Sequence, residues 1–204
     1  YMRESGIPAA KYQMMAFTNG VQKGLVVLAT HRVVGGLDGF NWQDLVSRLE
    51  PGFTVMKIGS KLDMLKIMKS VHEKDETPLG IYLGDGKFCV AVLKDKSLMK
   101  AAAPDKSEAW RTLDVAVLQK HVLEGMLGIT DPRGDARLQY LGGARPVSDL
   151  EKLVDDGNYR LAFAMQPVKV ETVLSIADAG GIMPPKSTWF EPKLLSGLVV
   201  HSFD

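Results

Sequence analysis

Apolar and polar positions along this chain alternate between two periods. Asn41-Trp-Gln-Asp-Leu-Val-Ser-Arg-Leu-Glu50 places Trp42, Leu45, Val46 and Leu49 at helical spacing behind an Asn cap, and Pro51-Gly52 closes it. Phe53 to Ile58 reads as a strand. Ser60 then caps a helix whose Leu62, Leu65, Lys66, Met68, Lys69 and His72 separate into an apolar stripe and a basic one. Pro78 to Leu83 and Lys87 to Leu93 are strands joined by the turn Gly84-Asp-Gly86.

Asp114 to Gly128 carries the clearest helical pattern, with an Asp cap, an apolar face at Val117, Leu118, His121, Val122 and Met126, and a Gly terminator. Short strands are expected at Leu138 to Leu141 and Tyr159 to Met165, and helices at Ser148 to Asp155 and Val168 to Ala179. Tyr12 to Thr18 and Gly24 to Thr30 read as a hairpin or as adjacent strands, and Leu198 to Phe203 as a closing strand. Helices and strands interleave without strict alternation and with at least two hairpins. The pattern predicts an α+β fold, with a mixed or mostly antiparallel sheet packed with helices. One domain over residues 1–204 is expected, with a candidate subdivision near 100–112.

Composition narrows the function classes. With 204 residues, 46% hydrophobic and 24% charged, the chain can bury a sizeable core. Its 25 Lys and Arg against 24 Asp and Glu leave no bulk charge to attract a phosphate backbone, which argues against direct DNA binding. No apolar run approaches the length of a membrane span and none resembles a signal peptide, so a cytoplasmic setting is expected. Cys89 is the only cysteine and lies in an apolar run, and the four histidines lack metal-ligand spacing, so no metal is predicted. Tyr1 to Gly6 reads as the last turn of a helix, as though the chain begins part-way through a larger protein.

The polar candidates concentrate near the end. Gly180-Gly-Ile-Met-Pro-Pro-Lys-Ser187 echoes a phosphate-binding loop, but Pro184 and Pro185 remove amide donors that such a loop needs, and the glycines follow a helix instead of opening one. What remains is a stiffened edge presenting Lys186, Ser187 and Thr188, with Lys193 nearby, a residue set suited to phosphate or carboxylate. The competing reading has the hydroxyls capping local backbone. His31 and Arg32 end an apolar strand, where Arg32 could clamp an anion and His31 transfer protons near neutral pH; a surface Arg and a half-buried His are the alternative. Asp114 stands where a helix cap belongs.

The motif Met183-Pro-x-Lys-Ser-Thr-x-Phe-x-Pro-Lys193, followed by Ser196-Gly-Leu-Val199, resembles the closing signature of the domain of unknown function 1015 family. The Met-Met, Thr-Asn, Gly-Leu-Val and Thr-His-Arg elements of Tyr12 to Val33, with Leu113-Asp-Val-x-Val-Leu118, Leu127-Gly-Ile129 and Leu161 to Val173, resemble other parts of the same family. Gln166 stands where many relatives are expected to have Asn. The resemblance implies members about twice this length, whose N-terminal half ends in an Asp-Gly-His-His-Arg motif similar to that of ParB-like nucleotide-binding and free-serine-kinase proteins. It therefore implies the C-terminal half of a ParB-like nucleotide-dependent enzyme, a small-molecule kinase or nucleotide hydrolase, using ATP or ADP with magnesium. In that reading this half supplies Arg32, Lys186, Thr188 and Lys193 to a cleft shared with its own N-terminal half, and a small phosphorylated molecule is the other partner. A non-enzymatic ParB-like binding or scaffold protein, and a structural or dimerising domain able to form homo-oligomers, are the alternatives.

Overall fold

The computed structural model describes residues 6–12, 14–20, 24–143, 145–195 and 197–202. The chain divides into two compact units. The larger runs from Val27 to Trp189, and the segments before Val27 and from Phe190 onward make up the other. The stretch 100–112 lies inside the larger unit.

The strands are Val26–Leu28 (β1), Thr30–Val34 (β2), Phe53–Ile58 (β3), Pro78–Tyr82 (β4), Phe88–Leu93 (β5), Leu138–Gly142 (β6), Leu161–Ala164 (β7) and Trp189–Glu191 (β8). Six of them form a sheet in the order β3-β5-β4-β7-β2-β6, antiparallel throughout, as the α+β reading expects; β1 and β8 form a separate two-stranded sheet. The helices are Trp42–Leu49 (α1), Lys61–His72 (α2), Ser97–Ala102 (α3), Glu108–Arg111 (α4), Asp114–Val117 (α5), Val147–Asp155 (α6) and Val170–Asp178 (α7). Among the described residues no helix is long and apolar enough to cross a membrane.

Layering follows from the strand pattern. β5 is buried along its whole length, which is why it reads as an unbroken apolar run rather than an alternating one. Its Cys89, Ala91 and Leu93 face one core with Leu79, Ile81 and Phe163; Phe88, Val90 and Val92 face the other with Met64, Met68 and Leu150. Helices α2 and α6 cover the second face, while α1, α3, α5 and α7 contribute to the first. Each fully buried side chain of this kind contributes about 2 kcal/mol. Gly80 is required by this packing, since a Cβ there would meet the Met68 sulfur and the Ala164 methyl.

Two of the three expected caps form where the sequence places them, while α5 is capped by Leu113 instead of Asp114. Asn41 accepts from the Gln43 N–H at 2.8 Å, and the Ser60 hydroxyl accepts from the Asp63 N–H at 3.1 Å. The helix expected over Asp114 to Gly128 changes character: α5 passes directly into a π-helical stretch, Leu118–Glu124. That pitch brings residues five apart together, and the Gln119 amide donates to Glu124 at 3.0 Å. Arg48 and Arg137 donate to the carbonyls of Gly125, Met126, Leu127 and Gly128, closing the helix's C-terminal end.

Two expected strands do not form. Tyr12 and residues 14–18 carry no strand, Gln13 lying outside the described residues, and Met14, Met15 and Phe17 are exposed. Residues 198–202 carry none either, Phe203 lying outside, and the last strand is instead β8. Apolar β-formers make a strand only where a second backbone takes up their N–H and C=O groups. Tyr1 to Ser5 also lie outside the described residues, and with them the expected helix end.

Candidate functional site

Most of the buried polar side chains gather where β2 begins and β7 ends: Thr30, His31, Arg32, Asp114 and Ser187. Antiparallel pairing sets Arg32 opposite Phe163, so the start of β2 runs beside the chain leaving β7. There His31 accepts the Met165 N–H on Nδ1 at 3.1 Å, which fixes the neutral ring with its proton on Nε2. Burial, and secondarily the adjacent Arg32 charge, push the His31 pKa down to about 4. The imidazole is therefore neutral at physiological pH, which separates it from the near-neutral proton transfer anticipated for it.

Arg32 is buried against the Tyr140 ring, its guanidinium 5.3 Å from the centroid. It donates to the Thr30 carbonyl, to Lys186 O at 3.1 Å and to Pro185 O at 3.4 Å. Burial lowers its pKa to about 10, opposed by the neighbouring Asp114 charge, so it keeps its proton at neutral pH. Arg32 thus ties the proline-rich loop to the sheet and faces Asp114 electrostatically.

Asp114 is not the helix cap that its position predicts: Leu113 holds that place, and Asp114 is the first residue of α5. One carboxylate oxygen accepts the adjacent Val115 N–H at 2.7 Å, while the other reaches the Gln166 N–H at 2.9 Å, joining the start of α5 to the segment after β7. Burial raises its pKa, opposed by the Gln166 N–H and then by the Arg32 charge. It is the backbone of Gln166, not its side-chain amide, that makes this contact.

Asp114 also lines a cleft of about 220 Å³ at the same end of the sheet. His72 enters from the end of α2, Thr77 from the turn into β4, Lys96 from the turn after β5, and Lys169 from the start of α7. Two contacts fix its walls. Thr77 donates its hydroxyl to Thr112 O at 3.2 Å, and Lys169 pairs with Asp75 at 2.8 Å, which holds the Asp75 carboxyl below its usual range. Among the described residues the His72 ring and the Lys96 ammonium have no hydrogen-bond or ion-pair partner. The cleft therefore combines His72, Lys96 and the exposed Glu76 carboxylate, none with a side-chain partner among the described residues, with a buried, oriented carboxyl in its wall. Such a combination can bind an anion and accept a proton from a hydroxyl carried by it.

The residues anticipated from sequence divide. Arg32 and the Lys186 loop are brought together, through the Lys186 carbonyl and not its ammonium. Lys186 adopts φ 56°, a left-handed conformation uncommon outside glycine, and its side chain is exposed. Ser187 is buried and donates to Pro184 O at 2.6 Å, as the backbone-capping reading expects; Thr188 is half-buried. Trp189 packs against Gly142 and Gly143, where any Cβ would collide with its indole. Lys193 belongs to the other unit, where it donates to Phe190 O at 2.9 Å and lies 3.7 Å from Glu191. Sequence reading passed over Lys96 and Lys169 and left Asp114 as a cap. Lys94-Asp-Lys96 following a buried strand was the available signal, the same strand-end logic that singled out Arg32.

Residues 2–116 match the family model described as "Protein of unknown function (DUF1015)". The chain belongs to this family. The matched stretch contains His31, Arg32, His72, Lys96 and Asp114 and ends before the Lys186 loop. No curated protein matches. Among solved structures the chain is similar to a conserved hypothetical protein from Pyrococcus furiosus, at 13% identity and TM-score 0.44, covering 85% of this chain and 59% of that one. It is also similar to a free serine kinase in complex with AMP, at 15% identity and TM-score 0.45, and to a mutant of that kinase in complex with ADP, at 14% and 0.44; coverage is 85% of this chain and 56% of those. The chain thus spans a little over half the length of these solved chains. At these identities and TM-scores the likeness assigns no residue and no activity.

Proposed function

We propose that the cleft around Asp114 binds a small phosphorylated molecule, and that the chain forms one wall of a nucleotide-dependent enzyme acting on a small molecule. The observation that carries this reading is the pair of uncommitted basic groups, His72 and Lys96, at the rim of a cleft whose wall holds a buried carboxyl. The Lys96 ammonium and the His72 ring can donate to phosphate and stabilise charge developing on it, beside the Glu76 carboxylate that shares the rim. The Asp114 carboxyl, oriented by two backbone N–H groups, is placed to hold or accept a proton from a ligand hydroxyl. Arg32 acts behind it as a positioning residue, fixing the Pro185–Lys186 backbone and balancing the Asp114 charge. In this reading Lys186 and Thr188 supply further polar contacts from the loop, and ATP or ADP is the nucleotide. Magnesium is not assigned to this chain's own side chains, since among the described residues no group of three or more His, Cys, Asp or Glu is arranged to hold a metal.

Calorimetric titration with AMP tests the reading. Lys96→Ala and His72→Gln should each weaken binding by about tenfold, as expected for a lost charge-assisted hydrogen bond, with the melting temperature unchanged. Unaltered affinity in both variants removes the cleft from the account. Binding that instead falls with Lys186→Ala alone moves the site to the loop, and absence of any binding favours the scaffold or dimerising alternatives.

A further inference from the structure

The cleft does not end at Lys96. Glu76, Thr77 and Lys96 also line a second hollow of about 450 Å³, whose floor is formed by Met56, Val71 and Val92 from β3, α2 and β5. The first hollow has charged groups on nearly every side. The second is apolar at its floor. The lip between them is rigid: Thr77 is buried, donates its hydroxyl to Thr112 O at 3.2 Å, and accepts the Leu93 N–H on its carbonyl at 3.2 Å. Lys96 is exposed, has no hydrogen-bond or ion-pair partner among the described residues, and lines both hollows.

At about 220 Å³ the polar hollow falls below the roughly 300–1,000 Å³ that small-molecule sites usually occupy, but it shares Glu76, Thr77 and Lys96 with the second hollow, whose about 450 Å³ lies within that range. From this we infer that they form one bipartite groove for an aromatic phosphate, its phosphoryl group between Lys96 and His72 and its ring in the trough over Met56 and Val71. This rests on the reading of the polar cleft given above and extends it to the ligand's body. A thioether beside a β-branched side chain gives a planar ring an adaptable, polarizable surface. Met56 and Val71 are half-buried on the α2 face of the sheet, so a ring placed there would remove apolar surface from water on both sides of the contact. Nucleoside phosphates and simple aryl phosphates share this chemistry.

Titration calorimetry with inorganic phosphate, phenyl phosphate and AMP tests the assignment. The wild-type protein should bind phenyl phosphate and AMP about tenfold more tightly than inorganic phosphate, the effect of burying part of a ring. In the Met56→Gln/Val71→Thr double variant that preference should vanish while affinity for inorganic phosphate persists. A gain for both organic ligands assigns the trough to aromatic phosphates in general, and a gain for AMP alone assigns it to nucleoside phosphates. Equal affinity for all three ligands, or a preference that survives the double variant, overturns the trough and leaves the anion site standing. Failure of all three to bind overturns both. Saturation transfer from the Met56 and Val71 methyls to the ring protons of phenyl phosphate gives a readout that needs no variant, and its absence from bound ligand also overturns the trough.

Discussion

The two ends of the six-stranded sheet handle buried polarity in opposite ways. At the hairpin end, Tyr82 donates to both oxygens of Asp155, at 2.6 and 2.8 Å, and its own oxygen accepts the Gly86 N–H at 3.2 Å. Asp155 also accepts the Asp85 N–H at 3.2 Å, so the clamp closes on its own turn. Burial, followed by the Asp155 contact, raises the Tyr82 pKa to about 12. At the opposite end, Arg32 and Asp114 also take backbone partners, but beside them stand His72 and Lys96 with none among the described residues. The first end spends its polar groups on the fold. The second retains unpartnered groups of both signs, Lys96, His72 and Glu76, next to a buried carboxyl, and that distinguishes a candidate site from a structural clamp.

The comparison can be broken most forcefully at Arg32. Arg32→Ala should destabilise the protein by about 3–5 kcal/mol in a denaturant titration, because it leaves the Thr30, Pro185 and Lys186 carbonyls without their donor and removes the guanidinium's packing on Tyr140. A loss below about 1 kcal/mol would show that these groups find water easily and that the second end is not a buried network at all.

His31 gives the next effect, through pH. Its folded pKa of about 4 lies below the ordinary 6.5, so the folded state prefers the neutral ring. Its contribution is present above pH 6.5 and is lost as pH falls toward 4, amounting to about 3 kcal/mol over that window. The raised Asp114 pKa works in the opposite sense, since protonating that carboxyl favours the folded state. The stability difference between wild type and His31→Gln isolates the first effect. It should move by about 3 kcal/mol in the variant's favour from pH 7 to pH 4, and a flat difference would refute a buried neutral His31.

Tyr82→Phe probes the other end. It removes a hydrogen bond to a carboxylate and should cost about 1.5–3 kcal/mol of stability while leaving AMP binding unchanged. Smallest of all in its effect on folding should be Lys96→Ala, which leaves the melting temperature where it was and acts on ligand alone.

Much of the architecture was legible because it depends on neighbours in sequence. Asn41 and Ser60 announce their helices, Gly84-Asp-Gly86 its hairpin, and Phe88 to Leu93 a strand buried on both faces. The missing strands at Tyr12 to Thr18 and Leu198 to Phe203 depend on partner backbones that no local pattern encodes. Helices α3 and α4 went unread because each is too short for its periodicity to register. The same division governs the site. Arg32 was visible as a cation expected just past a strand, although it sits in the middle of β2, and His72 as part of a basic stripe. That Asp114 would face Arg32 and reach Gln166 depends on the order of strands in the sheet, which places residues distant in sequence side by side. The Lys186 motif was conspicuous, yet the contact that ties it to Arg32 comes from backbone carbonyls, which no side-chain pattern reveals.

The most direct test is amide chemical-shift mapping of the protein titrated with AMP. Perturbations should concentrate at residues 72–77, 94–96, 112–114 and 168–172, with the Tyr82 to Gly86 hairpin and Asp155 unmoved. Perturbations centred on the hairpin end, spread evenly over the surface, or absent at saturating ligand would contradict the proposed site.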